Sequence, residues 1–573
     1  MNWDLSALYK SQTELEADVE AVKQKAKSFE SICKNRLKLL SPTEFLEVLR
    51  EYESISQTLG KFMTYAFLRF ASDSSNGSFY AKYQEHYSSI SEYLLFFELE
   101  FNKLTRQKQE EFIEAAPKYR FYLKSLQEEK PYQLSAKEER ILLKKDLTSS
   151  SAWSRLFDEH FSRLKFSFDG EKLSEEEVLA KLHSPDREVR KKAATSLSKT
   201  LKIHQPLLGY IFNMIKTDHK IDCELRGYTT PEMARHMDNK ISQKSVDALI
   251  NSAEKSFDLV QEYYKKKAEL LGYEKLYDYD RYAPLEACEK EYSFEESKQI
   301  VLKAFEKFSP QMAKIAKEAF EEGWIDVYPK ENKRGGAFSH PATPDSHPYV
   351  LLNHTNRRRD LFTLAHELGH AIHQYLSRDV GYLGTDTPLT TSETASVFAE
   401  MLVFDYIKSD LSEEEKIALY AGKIEDIFAT LYRQINFTTF ERAVHANEGE
   451  LSLEEFNKVW IQESQKMFGD SVTLTKQYEI WWSYIPHFIH SPFYCYAYSY
   501  GQLLVLALYG LYKSGKDKNF IENYLCFLSS GGSKSPKELI GKFGFDIEST
   551  EFWDIGIAEV KKLLEEFALL KRV

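Results

Sequence analysis

The sequence predicts a mainly α-helical fold with one small antiparallel sheet. Three features carry that expectation. Apolar residues recur at three- and four-residue steps along most of the chain. Only 23 Gly and 16 Pro are spread over 573 residues, and most fall between those patterns. One stretch, GWIDVYPKENKRGGAFSHPATPDSHPYVLLNHT (residues 323–355), differs: Gly and Pro break it, and short apolar runs such as WIDVY and YVLLN alternate with loops, as in a small sheet.

Taken in order, the helical patterns cover residues 14–50, 80–126, 175–201, 242–271, 295–322, 413–432 and 557–570. Their lengths differ and they share no signature, so they are not repeats. A soft boundary near residue 200 divides an N-terminal helical part, 1–200, from a part, 201–573, that holds all the candidate chemistry. A second unusual segment, IPHFIHSPFYCYAYSYG (residues 485–501), is dense in aromatic residues.

Bulk chemistry narrows the functional classes. The formal net charge is -12, which argues against general binding of a phosphate backbone and so against a nucleic-acid partner. The longest apolar run, LLVLALYGLY (residues 503–512), is too short to span a bilayer and reads as a buried helix. Cys33, Cys223, Cys288, Cys495 and Cys526 are far apart and form no CxxC pair, which fits a reducing compartment. The polar, acidic start, MNWDLSALYKSQTELEADVE, does not read as a secretory signal. The expected setting is the cytoplasm, with no membrane partner, and nothing in the sequence sets an oligomeric state.

Residues 360–373 read DLFTLAHELGHAIH. On a helix, His366 and His370 stack on one face, so both imidazoles reach one ion, and Glu367 sits beside a metal-bound water as general base. A surface helix that merely carries these residues is opposed by the flanks. Leu361, Phe362, Leu364, Ala365, Leu368, Ala371 and Ile372 make the helix apolar almost all round, hence buried. His373 shares the face, but seven residues rise about 10.5 Å, too far for His366 and His373 to share one zinc easily, so it reads as a core or supporting histidine.

The third ligand must come from elsewhere. The longer motif with a third histidine is absent, because His373 and Leu376 occupy its glycine and histidine positions. Residues 387–405, TPLTTSETASVFAEMLVFD, place Glu393 and Glu400 seven apart on a largely apolar helix that Thr391 or Ser392 can cap. Carboxylates there are costly unless paired or bound to metal. Glu393 is assigned to the metal, and Glu400 to a supporting role that orients a ligand histidine. Asp379 and Asp386, in the polar loop between, are the other candidates. A plain alternative for Glu393 is a first-turn acid favoured by the helix dipole.

HELGH followed by SETASVFAE resembles the thimet-oligopeptidase-like metallopeptidases, most closely their oligoendopeptidase F branch. KRGGAFSH (residues 333–340), IPHFIHSPFYCYAYSYGQ (485–502) and FLSSGGSKSP (527–536) fit the same branch, and looser similarity covers LGYEKLYDYDRYAPL (271–285) and the N-terminal helices. The resemblance supports Glu393 as the ligand. It implies a helical ellipsoid with a deep channel, one Zn2+ at its floor, and internal cleavage of short unstructured peptides. It also implies that a histidine and one or two tyrosines of the aromatic segment stabilise the oxyanion. The matching positions are His487, Tyr494 and Tyr498, with Tyr498 the first choice; Tyr496 and His490 stay open. Gly335 and Gly336 match a loop that lines the channel near bound substrate, and small residues allow close backbone approach. The adjacent YVLLN run reads as an edge strand on which an extended peptide can pair. Arg357, Arg358 and Arg359 read as a solvated face.

The expected activity is therefore that of a zinc metalloendopeptidase acting on oligopeptides. A dipeptidyl carboxypeptidase would need a cationic group to hold the substrate C-terminus, and the sequence places none. A non-catalytic peptide binder would not need Glu367.

Overall fold

Serines open many of the helices. Ser41, Ser135, Ser174, Ser412, Ser452 and Ser535 each accept a backbone N–H three residues on, and the glutamate at that position returns the bond to the serine N–H. Gly227 and Gly272 end two others in the left-handed conformation, at φ 76° and 68°. In this computed structural model, residues 2–285 and 290–570 are described, and they are mainly helical as expected. The predicted helical stretches resolve into helices such as Gln12–Cys33, Pro42–Ser72, Phe257–Leu271 and Thr550–Leu569.

The chain divides into two compact units, each assembled from three stretches. The first comprises residues 1–131, 289–409 and 512–544, and the second 132–288, 410–511 and 545–573. Residue 200, the expected boundary, lies inside the helix Arg187–Arg226, and no division falls there. That helix buries Ala193, Leu197, Leu201 and Leu208 in one continuous row, so no break in pattern exists near 200. A reading along the chain cannot detect units built from interleaved pieces.

In the first unit, Gln12–Cys33 and Pro42–Ser72 bury an aromatic core in which Phe45 stacks on Phe112 with ring centres 3.9 Å apart. The sheet of this unit has the order Ile325–Asp326, Tyr349–Leu351, Phe338–His340. It is mixed rather than purely antiparallel: Tyr349–Leu351 runs parallel to Ile325–Asp326 and antiparallel to Phe338–His340. Tyr349–Leu351 is therefore the central strand, not the edge expected for YVLLN, and all three of its residues are buried. A continuous apolar run suits a strand covered on both sides. The edge position falls to Phe338–His340.

In the second unit, Arg187–Arg226 packs on the 3-10 segment Lys476–Tyr484, with Trp460, Trp481 and Trp482 at the centre of the core. Two two-stranded ladders accompany it, antiparallel between Phe166–Phe168 and Glu171–Leu173, and parallel between Leu276–Tyr277 and Val472–Thr473. Residues 503–512 lie within the helix Tyr496–Ser514 and are buried through Gly510. No described helix is long and apolar enough to cross a membrane. Cys33, Cys223, Cys495 and Cys526 are free thiols, and Cys288 lies outside the described residues.

One contact in the first unit is unusually close. The helix Arg358–Leu376 presents Gly369 to the turn before the helix Ser396–Ile407. A Cβ at position 369 would lie 2.5 Å from the Ala395 carbonyl oxygen and 2.6 Å from the Ser396 Cα. Both obstacles are backbone, so they cannot swing aside. Gly369→Ala is expected to destabilise the protein by about 1–3 kcal/mol and to weaken metal binding, because the two helices must separate. Thermal unfolding and metal titration check this; an unchanged melting midpoint together with unchanged affinity would contradict it.

Candidate metal centre

The motif helix spans Arg358–Leu376, as its apolar flanks predict, and Leu361, Leu364, Ala365, Leu368, Ala371 and Ile372 are buried. Asp360 anchors its start by accepting the N–H groups of Thr355 at 2.6 Å and Arg357 at 3.1 Å. Arg357 and Arg359 are exposed, in keeping with a solvated run. His366 and His370 project from one face, with ring centres 4.8 Å apart.

Glu393 reaches them from a turn rather than from a helix. The expected helix start at 393 is replaced by a short turn of helix, Leu389–Ser392, followed by Ser396–Ile407. Thr391 and Ser392 do not cap the longer helix; their hydroxyls donate to the carbonyls of Pro388 and Leu389. Ser396 instead donates to Glu393 Oε2 at 2.5 Å and so fixes the carboxylate. Glu393 Oε2 lies 3.3 Å from His366 Nε2 and 3.4 Å from His370 Nε2. Among the described residues these three form a group of possible ligands, with one donor atom from each within 4.8 Å of the others. Two imidazole nitrogens and one carboxylate oxygen are the donor set of a catalytic zinc site with room for water.

Glu400, one helix turn beyond Ser396, accepts from His366 Nδ1 at 2.6 Å. That bond fixes the ring and leaves Nε2 as the lone-pair side facing Glu393. The field of the cluster calls for a cation. Burial opposes charge on His366, yet the Glu400 hydrogen bond and charge, with Glu393 behind them, push its imidazole up to about 9. Burial likewise raises Glu393, but His370 and then His366 pull it down to about 2. A divalent ion can take the place of the proton that the protein holds there. Glu367 is 6% exposed, and burial raises its carboxyl, with His366 and His370 opposing.

The cluster opens on a cavity of about 1100 Å³ in the first unit, lined by His366, Glu367, His370 and the edge segment Ala337–His340. Gly335 and Gly336 precede that segment and are not among the lining residues. Gly336 has φ 77°, and its carbonyl accepts from Asn353 at 2.8 Å, so the pair shapes the turn that delivers the edge strand. His373 is buried at the cavity wall, held neutral by burial down to about 4, and stands apart from the ligand group. Asp386 lines the cavity without joining the group, and Asp379 does not join it either.

The aromatic segment belongs to the second unit and sorts its own candidates. Tyr496 is buried, and its hydroxyl is engaged by His236 Nδ1 at 2.8 Å and Asn239 at 3.0 Å. His490 faces Asp158 at 2.8 Å. Tyr498, by contrast, is 37% exposed, and its hydroxyl lies 3.5 Å from His487 Nε2. The Tyr494 ring completes the group, 5.1 Å from Tyr498 and stacked on His487.

Gly369 and Gly532 have packing roles that local sequence pattern does not indicate. Gly369 hides inside the motif itself. Gly532, in FLSSGGSKSP, donates to the Gly384 carbonyl at 2.8 Å and leaves no room for a side chain against Asp386, which pins the loop at the cavity wall. Glycines packed against distant backbone were the available clue.

Residues 180–559 match the family model described as peptidase family M3, and residues 100–166 match one described as oligopeptidase F. The chain is 29% identical to the oligopeptidase PepF of Bacillus subtilis over 96% of this chain and 84% of that one. It is 27% identical to an oligoendopeptidase F homolog of Lactococcus lactis over 99% and 98%. A solved structure from Chlamydophila abortus superposes with a TM-score of 0.92 at 26% identity, covering 100% of this chain and 98% of that one. The fold also matches oligoendopeptidase-F of Enterococcus faecium, with a TM-score of 0.71 at 22% identity, covering 97% and 99%.

Replacing Glu400 by Gln removes the charge that orients His366 and is expected to weaken zinc binding by about 10–100-fold without displacing either histidine. Competition with a chromophoric chelator measures it; an unchanged affinity would contradict the supporting role.

Proposed function

Because the chain belongs to peptidase family M3, we propose that it is a zinc-dependent endopeptidase that hydrolyses internal bonds of short, unstructured peptides. The observation that carries this reading is the convergence of His366, His370 and Glu393 on one point beside the buried Glu367, at a cavity wall. His366, His370 and Glu393 hold one zinc ion. When bound, zinc supplies Lewis-acid activation of water and of the scissile carbonyl.

The chain's own groups do the rest. Glu367 removes the proton of the attacking water and passes it to the leaving amine; burial raises its carboxyl above the ordinary value, which makes it a stronger base. Glu400 holds His366 in one tautomer. Tyr498, with His487 beside it and Tyr494 stacked behind, donates to the developing oxyanion; a phenol keeps its proton at neutral pH. The edge strand Phe338–His340 takes the peptide backbone in extended form. Its position beside the cavity supports this role, which the sequence had given to YVLLN. The middle of that edge is already engaged, since Gln374 donates to the Ser339 carbonyl at 3.2 Å. The free thiols fit a reducing, cytoplasmic setting.

Hydrolysis of a quenched, end-blocked peptide of roughly ten residues tests the reading. Glu367→Ala is expected to keep its zinc and lose about 10²–10⁴ in kcat, and Tyr498→Phe to lose about 10²–10³. If wild type and Glu367→Ala both hold zinc and neither cleaves any peptide of a varied pool, the catalytic reading fails.

A further inference from the structure

The first-unit cavity beside the metal cluster has a largely apolar side. Gly60, Met63, Thr64 and Phe67 line it from the helix Pro42–Ser72, at the spacing of one helix face. Tyr80 and Tyr87 line it from the helix Gly77–Ser91. Met63, Phe67 and Tyr80 are half-buried and Tyr87 is exposed, so apolar surface is left open there. Phe67 is the hub of this side. Its ring centre lies 5.4 Å from that of Phe338, 5.5 Å from that of His340 and 6.1 Å from that of Tyr80.

One carboxylate away from the metal group shares this wall. Asp386 lines the cavity, and its side chain has no hydrogen bond or ion pair among the described residues. No lysine or arginine is among the lining residues, and burial holds His340 and His373 uncharged, each down to about 4. Asp386 keeps access to solvent, yet the atoms around it raise its carboxyl above the ordinary value. An ionised group that is partly enclosed without a partner is costly. Other acids of this unit are matched: Asp326 meets Lys330 at 2.8 Å and Lys333 at 2.9 Å, and Asp405 meets Lys513 at 2.7 Å.

The loop that carries Asp386 is fixed. The Leu383 N–H donates to Glu53 Oε1 at 3.3 Å, and the Gly384 carbonyl accepts from Gly532 at 2.8 Å. The Tyr382 hydroxyl fills the space that a side chain at Gly60 would need. Burial, followed by Tyr87 and Asp386, pushes the Tyr382 phenol up to about 12, so it stays neutral.

We propose that this cavity binds a cationic group of the peptide, with Asp386 as its counter-charge and the faces of Phe67 and Tyr80 along its aliphatic stem. The proposal rests on the peptidase reading for its ligand. A lysine or arginine side chain supplies both parts: methylenes that cover ring faces, and a charged head that meets the carboxylate. A free N-terminal ammonium supplies the charge alone. Asp386 would set which peptides bind and takes no part in breaking the bond.

Fluorescence anisotropy on zinc-loaded Glu367→Gln protein separates binding from turnover. Labelled peptide amides of one neutral sequence carry Arg, norleucine or Glu at a central position, with the N-terminus acetylated; a fourth carries norleucine and a free N-terminus. The acetylated Arg peptide is expected to bind about tenfold tighter than the acetylated norleucine peptide, the size of one charge-assisted bond. Adding Asp386→Asn should bring that ratio to about one. Asp386→Lys should reverse the order, so that the Glu peptide binds tighter than the Arg peptide, which a misfolded protein could not do. If the free N-terminus restores the affinity that norleucine lacks, an ammonium suffices; if it does not, the side chain is the source of the cation. Equal affinities of the acetylated Arg and norleucine peptides in the parent, no binding by any peptide, or a preference that survives Asp386→Asn would overturn the subsite. A tenfold preference with no cleavage of these peptides by zinc-loaded wild type would sink the peptidase reading and leave the subsite standing. Cleavage with a ratio of one would do the reverse.

Discussion

At Gly369 the motif helix has no side chain, and the backbone of Ala395 and Ser396 fills the space where one would be. The metal cluster depends on this approach. Glu393 lies two residues before Ala395, and Glu400 four residues after Ser396, so the contact fixes where both carboxylates meet His366 and His370. A larger residue would move the glutamates as a pair. The surrounding apolar side chains hold the two helices at that separation, and Ser396 then clamps the Glu393 carboxylate.

Such packing brings three acids and two imidazoles together at the wall of the cavity in the first unit. In isolation each charge would be expensive there. Together they are consistent: Glu393 stays ionised, His366 is driven toward its charged form, and Glu367 is raised by burial. The arrangement is that of a cation site with an acid–base group beside it, in which environment rather than residue type sets the role of each glutamate.

Much of this was legible in the sequence. The spacing of His366 and His370 fixed their common face, and the apolar flanks fixed the burial of their helix. The cost of carboxylates in an apolar segment singled out Glu393 and Glu400, although the turn that carries Glu393 was read as helix. The boundary near 200 was not legible, because the units interleave and the helix Arg187–Arg226 runs through that point. YVLLN was read as an edge because a short apolar run gives no count of its partners, and only the fold reveals strands on both sides. The role of Gly369 depends on a backbone 26 residues further along the chain. Tyr496 and Tyr498 look alike in sequence, and they separate only when one hydroxyl is found bonded in the core and the other at the surface.

The central claim is that His366, His370 and Glu393 together hold one zinc ion. X-ray absorption at the zinc edge of the loaded protein tests it most directly. The account expects two imidazole nitrogens at about 2.0–2.1 Å, carboxylate and water oxygens at about 2.0–2.2 Å, and loss of one imidazole in His370→Ala. A sulfur ligand at about 2.3 Å, or an imidazole count that His370→Ala does not change, would contradict it.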